Sequence, residues 1–294
     1  MAKDTPTIKD EIAKRNLELT IEAVASGLYG QPQLDLDVAA FSAYREGDSD
    51  KLPPESNPED PAQALMLNDV RGVNALCLAG GGGQQSAIWS LLGASVTVLD
   101  LTPEQLERDQ IAARFYGYSV ATIQGDMRDL SIFPDRSFGR VIQPISTLYV
   151  PDLREVYAGV ARVLEPGGLY RAEFVYPPLY MVEDKGWDGQ GYVLRFSQLH
   201  KRGPVLERES DGLINFDEGV SFGEFNHLLS DIINGLIAEG LSIKGIWESP
   251  RPHETSPEGL AELEPLTDAA ANPWENEHRN AIIPIGLSVV AEKR

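Results

Sequence analysis

The sequence predicts an α/β fold, a doubly wound and mostly parallel sheet with helices on both faces. Two observations carry this expectation. From Val73 to Val175 short apolar runs alternate with helical patterns, which is the signature of a parallel sheet covered on each side. At the start of that stretch a buried-strand run, Ala75 to Leu78, breaks into four consecutive glycines, Gly80 to Gly83, and a helical pattern follows from Gln84. Glycines between a strand and a helix let the backbone turn tightly and approach a ligand at the helix N-terminus.

Taken in order, residues 1–70 are expected to form a helical cap and an acidic loop. Ile12, Leu17, Leu19, Ile21 and Val24 fall at helical spacing, and Gly47 to Pro61 is acidic and rich in proline. Residues 71–176 form the core. Its second strand carries Val96, Val98 and Leu99 and ends in Asp100. Thr102-Pro-Glu-Gln105 reads as a capping box with proline at the first helical position, opening a helix that stops at Gly117. Asp152 with Glu155 opens the next helix, Glu165-Pro-Gly-Gly168 ends it, and Leu169 to Val175 is a strand. Residues 177–220 have no helical period and carry two short strand-like runs, at Tyr192 to Phe196 and Val205 to Arg208, as an inserted lid would. Residues 221–294 complete the sheet. There Ser221 with Glu224 caps a helix that ends at Gly240, with Phe225, Leu228, Leu229, Ile232, Ile233 and Leu236 on its apolar face. Leu241 to Trp247 and Ile285 to Val290 are the last strands, and the acidic stretch 250–283 between them forms a flap.

Composition narrows the partners. A formal net charge of −20 repels phosphate backbones and anionic lipid surfaces, which speaks against nucleic-acid and membrane substrates and leaves small molecules. The single cysteine, Cys77, permits no intrachain disulfide and suits a reducing compartment. The histidines at 200, 227, 253 and 278 show no ligand spacing, so no metal site is expected. No apolar stretch is long enough to span a membrane, and the expected location is the cytoplasm.

The glycine turn and Asp100 together indicate a nucleoside-bearing cofactor. A carboxylate at the tip of the second strand, roughly 20 residues past the glycines, is placed to bind the two hydroxyls of a ribose. A dinucleotide fingerprint, G-x-G-x-x-G, needs a small third residue; starting from Gly80 or Gly81 that position holds Gln85 or Ser86. A phosphate-binding loop would need a lysine that Gln84-Gln85-Ser86 lacks. An adenosine without a pyrophosphate is what remains.

Several stretches in order resemble the class I S-adenosylmethionine-dependent methyltransferases, in particular their broad type 11 group. Leu76-Cys-Leu-Ala-Gly-Gly-Gly-Gly83 is similar to the first motif, with Ala79 at the first glycine and Cys77 where the family has an acid. Asp100 and Leu101 match the ribose acid and its apolar neighbour, and Gly125-Asp126-Met127 matches the acid after the third strand. Phe138-Gly-Arg-Val-Ile-Gln143 resembles the fourth strand, and Arg162-Val-Leu-Glu-Pro-Gly-Gly168 resembles the turn before the fifth. The resemblance covers about Val73 to Val175 and implies a Rossmann-like sheet of seven strands closed by an antiparallel pair. It implies S-adenosyl-L-methionine as cofactor and S-adenosyl-L-homocysteine as product, held by Ala79, Gly80, Gly81, Gly83, Asp100, Leu101, Asp126, Met127 and Gln143. Asp126 would take the adenine amino group, the Met127 backbone the ring, and Gln143 the methionyl portion.

The implied reaction is transfer of a methyl group by in-line displacement to O, N or C of a small molecule. In open α/β sheets the ligand lies beyond the C-terminal strand ends, which puts Tyr149, Glu173 and Tyr176 beside the acceptor, with Trp274 in the flap lining an apolar pocket. His227, oriented by Asp231 one helical turn later, is placed to deprotonate the acceptor; the same pair also reads as an ordinary solvated helix face. Tyr149 reads equally as a packing residue and Trp274 as an anchor. Two other functions fit the same motifs: an NAD(P)-binding oxidoreductase or epimerase, and a protein that binds the cofactor without transferring methyl.

Overall fold

The computed structural model describes residues 8–27, 31–47, 61–194, 224–249 and 277–294. Three helices precede the sheet: α1 (Glu11–Ser26), α2 (Val38–Arg45) and α3 (Pro61–Leu67). Asp10 caps α1 by accepting the Ala13 amide, and Gly27 ends it in the left-handed conformation. The core then alternates β1 (Asn74–Leu78), α4 (Gln85–Leu91), β2 (Ser95–Asp100), α5 (Pro103–Tyr116), β3 (Val120–Gln124), β4 (Phe138–Gln143), α6 (Leu153–Val163) and β5 (Leu164–Val175). A short antiparallel pair follows, β6 (Val182–Trp187) and β7 (Tyr192–Leu194). The chain closes with α7 (Leu229–Ala238), β8 (Leu241–Ser249), α8 (Glu277–Ile282) and β9 (Gly286–Lys293).

One sheet of seven strands, in the order β3-β2-β1-β4-β5-β9-β8, organises these elements. The first five run parallel, and β9 pairs antiparallel with both β5 and β8. Alternation along β1 divides the core in two. Leu76 and Leu78 face a cluster shared with α6 and α7 through Val156, Tyr157, Ile232 and Leu236. Ala75 and Cys77 face a second cluster with Phe41 of α2, Met66 of α3, Trp89 of α4 and Leu106 of α5. Strand order reverses direction between β1 and β4, so their C-terminal ends open a crevice there.

Three local expectations are corrected. Thr102 is the N-cap of α5, yet its side chain makes no capping bond; its hydroxyl turns to the Asp100 carboxylate instead. β5 begins at Leu164 rather than Leu169, with an irregularity opposite Phe138 and Arg140 where the Pro-Gly-Gly bulges. The last core helix begins at Leu229. Residues 224–228 are not helical, because the Phe225 amide bonds the Leu148 carbonyl at 2.7 Å and that tertiary bond outweighs the local helical pattern. Ser221 and the Val205 to Arg208 run lie outside the described residues. No helix among the described residues is long and apolar enough to cross a membrane.

Candidate functional site

A cavity of about 880 Å³, counting its open mouth, lies at the C-terminal ends of β1 to β4. The turn after β1 contributes Ala79 and Gly81 to its wall, and the end of β2 contributes Leu99, Asp100, Leu101 and Thr102. Gly125 to Arg128 form a second side, and Ile145, Ser146, Tyr149 and Val150 beyond β4 a third. α1 closes the fourth with Ala13, Asn16, Leu17 and Thr20.

The glycine turn makes this opening possible. Ala79 and Gly81 both have positive φ, +52° and +72°, and beside Gly81 there is open space where a side chain would stand. Asp100 is buried at the cavity wall and takes the Thr102 amide on Oδ1 at 2.8 Å. Burial pushes its carboxyl up to about 6, the Thr102 and Gly81 amides oppose the shift, and nearby Asp109 adds to it. Asp126 is gripped by Arg128, whose backbone amide and Nε reach Oδ1 at 2.9 Å and whose Nη2 reaches Oδ2 at 2.6 Å. The Arg128 guanidinium also pairs with Asp10 at the head of α1. One buried arginine thus ties the covering helix to the acid of the cavity floor.

Six of the residues expected at the cofactor line this cavity: Ala79, Gly81, Asp100, Leu101, Asp126 and Met127. The other three do not. Gly80 turns toward Cys77 and Val98 of the sheet. The Gly83 amide is spent on Asp109 Oδ1 at 2.9 Å. Gln143 is wholly buried behind the wall, where its amide donates to Ser146 Oγ at 3.1 Å and to Met127 Sδ at 3.2 Å while its oxygen takes the Tyr170 hydroxyl. It braces the wall instead of forming it.

The residues expected at the acceptor scatter. Tyr149 lines the cavity on one side and on the other packs near Leu148, Val175, Leu179 and Tyr180. Glu173 pairs with Arg171 at 2.6 Å and lines a separate hollow with Gln63, Gln85 and Pro144, one residue away from the Ile145 of the first cavity. Tyr176 packs against the main core. Trp274 lies outside the described residues.

His227 and Asp231 are not a pair on one helix face. Asp231 sits in the first turn of α7, His227 precedes that helix, and among the described residues no ion pair joins them. The His227 ring instead meets the Thr147 carbonyl through Nε2 at 3.1 Å, so this nitrogen carries the proton, and burial lowers the tendency of the ring to take a second one.

Sequence reasoning expected an N-terminal helical cap but assigned to the site none of the α1 residues that line the cavity, nor Gln105, Arg128 or Asp109. The helical period of α1 was visible, but where it docks depends on Asp10 meeting Arg128 across 118 positions of chain. Among the described residues, no group of three or more His, Cys, Asp or Glu could hold a metal ion.

Comparison with known proteins bears on this arrangement. A family described as a methyltransferase domain matches residues 76–172. The "Uncharacterized methyltransferase YbaJ" of Bacillus subtilis (strain 168) is 33% identical over 181 residues, which is 61% of this chain and 69% of that protein. Among solved structures, an S-adenosylmethionine dependent methyltransferase from Mesorhizobium loti superposes with a TM-score of 0.59 at 22% identity, over 81% of this chain and 99% of that one. Geranyl diphosphate C-methyltransferase from Streptomyces coelicolor A3(2) superposes with a TM-score of 0.59 at 18% identity, over 98% and 100% of the two chains. The last two likenesses concern the fold.

Proposed function

Because the chain belongs to the S-adenosylmethionine-dependent methyltransferases, we propose that its cavity holds S-adenosyl-L-methionine and that it methylates O, N or C of a small-molecule acceptor. The observation that carries this is the pairing of an open turn at Ala79 and Gly81 with a buried Asp100 on one wall and Asp126 on the floor. The fit is chemical as well as spatial: a carboxylate beside Gly81 suits a vicinal diol, and the floor acid suits an exocyclic amine.

The cofactor supplies an activated methyl group on a sulfonium, with S-adenosyl-L-homocysteine as the product. The chain supplies alignment. Asp100, held by the Thr102 amide at the cavity wall, would accept from the ribose hydroxyls. Arg128 fixes Asp126 at the cavity floor, where it would take the adenine amino group, and Leu101 and the Met127 backbone would hold the ring. α1 shields these contacts from water. Holding two reactants in a near-attack geometry is worth roughly 7–11 kcal/mol, so no proton-transfer machinery is required unless the acceptor arrives protonated. Tyr149 presents its phenol to the acceptor. His227 acts through it, by pinning the carbonyl of Thr147 in the same short turn.

The net charge of −20 supports a small acceptor over a nucleic acid, and the single buried thiol suits a cytoplasmic enzyme. The test supplies isotope-labelled S-adenosylmethionine, the protein and a metabolite extract. Label is expected in the small-molecule fraction and is lost with Asp100→Ala. Label found only in RNA or protein would defeat the choice of acceptor. Tight cofactor binding with no label in any fraction would defeat methyl transfer.

A further inference from the structure

The far half of the glycine turn is held from behind, by α5. Gly83 donates its amide to Asp109 Oδ1 at 2.9 Å, and the Ser86 hydroxyl donates to the same oxygen. A Cβ at Gly83 would stand 2.8 Å from the Arg108 carbonyl, so the turn touches the α5 backbone with no room to spare. Asp109 is 2% exposed, and its Oδ2 has no hydrogen-bond partner among the described residues.

The groups near this carboxylate are Asp100 from β2, Cys77 from β1 and Tyr118 beyond α5, all of them acids. Arg108, the adjacent cation, directs its guanidinium to Gln105 and to the Val24 carbonyl of α1. A buried carboxylate without a cation is a burden on folding, and an apolar residue would fill the same place at lower cost. What Asp109 gives in return is a fixed turn. Asp100 receives the Gly81 amide on the cavity side, so the stretch from Gly81 to Ser86 hangs between two carboxylates, one facing the ligand and one behind it.

We propose that Asp109 is a positioning residue for the nucleoside cofactor. By tying Gly83 and Ser86 to α5 it sets the turn in the conformation that leaves the cavity open beside Ala79 and Gly81. The proposal rests on reading that cavity as the S-adenosylmethionine site.

The test is calorimetric titration with S-adenosylhomocysteine, together with thermal unfolding of the ligand-free protein, for the parent, Asp109→Leu, Asp109→Asn and Ser86→Ala. Leucine leaves the Gly83 amide without its acceptor, and affinity is expected to fall about tenfold or more. Asparagine keeps an oxygen for both donors and is expected to bind within about threefold of the parent, a rescue that core packing alone does not provide. Ser86→Ala removes one of the two bonds and should fall between these. Should the leucine variant fail to fold, Ser86→Ala decides: a measurable loss of affinity supports the proposal, and parental affinity overturns it. Shifts in unfolding temperature with unchanged affinity in every variant would make Asp109 a mere core residue and overturn the proposal. A parent that does not bind S-adenosylhomocysteine would overturn the reading of the cavity as well, and so is distinct from the first failure.

Discussion

Ala79 holds a conformation that L-residues avoid. Its φ of +52° lies in the left-handed region, which costs roughly 1–2 kcal/mol for a residue with a Cβ. The turn tolerates this because the Ala79 amide donates to the Leu99 carbonyl at 2.8 Å and locks the exit from β1 onto β2. Ala79→Gly should therefore stabilise the protein by about 1 kcal/mol and raise its unfolding temperature by about 2 °C. A lower unfolding temperature would mean the alanine methyl packs better than its backbone suffers. Asp100 is the other residue whose role is local. Asp100→Ala removes the acceptor for both ribose hydroxyls and should weaken S-adenosylhomocysteine binding by at least about tenfold in calorimetry. Unchanged affinity would remove Asp100 from the site. Both residues were legible in the sequence, since a strand followed by glycines and a strand ending in an acid are short-range patterns. Asp109 was not. An aspartate midway along a helix looks like any polar residue until tertiary packing buries it against the turn.

At the scale of elements, the covering helix α1 is held by charge at its first turn. Asp10 both caps α1 through the Ala13 amide at 2.8 Å and pairs with Arg128, which in turn grips Asp126. Lys9 adds bonds to the Arg128 carbonyl and to Glu155, each at 3.1 Å. Asp10→Ala should cost about 1 kcal/mol of helix stability from the cap alone. Hydrogen exchange along Glu11–Ser26 should speed up, and affinity for S-adenosylhomocysteine should fall, while exchange in β1 and β4 stays as it was. Faster exchange with unchanged affinity would show that α1 plays no part in closing the cavity. The same scale explains the misreading around His227. The apolar spacing from Phe225 to Leu236 is helical, yet Phe225 is recruited by the Leu148 carbonyl and Glu224 by the Tyr180 hydroxyl at 3.2 Å. Long-range bonds of this kind leave no trace in local periodicity, so the helix starts at Leu229 and the supposed catalytic pair separates.

For the whole molecule, buried carboxylates set how stability and binding vary with pH. Burial pushes Glu224 from its ordinary 4.5 to about 7, with the Tyr180 hydroxyl opposing the shift. A carboxyl whose pKa is raised on folding contributes stability that is fully present below about 4.5 and is lost as pH rises through about 7. Glu224→Gln keeps an acceptor for Tyr180 and removes the titration. Relative to the parent it should gain about 3 kcal/mol between pH 5 and pH 8 in denaturant unfolding, to order of magnitude. An identical difference at both pH values would show that Glu224 titrates normally. Asp100 and Asp109, both raised to about 6 by burial, act in the same direction on the ligand-free protein. β1, β2, β5, β8 and β9 were legible as apolar runs between turn signals, whereas β3, which is only partly buried, and β4 were reached through motif resemblance. The cavity was half legible: its floor and turn come from local motifs, whereas its cover comes from an ion pair between distant segments. The central claim is that the nucleoside of S-adenosylmethionine lies in this cavity, and the most direct measurement is a crystal structure of the protein with S-adenosylhomocysteine. The account expects both ribose hydroxyls within hydrogen-bond distance of the Asp100 carboxylate and the adenine between Leu101 and Met127, beneath α1. A nucleoside bound elsewhere, or a turn at Ala79 and Gly81 closed by packed side chains, would contradict it.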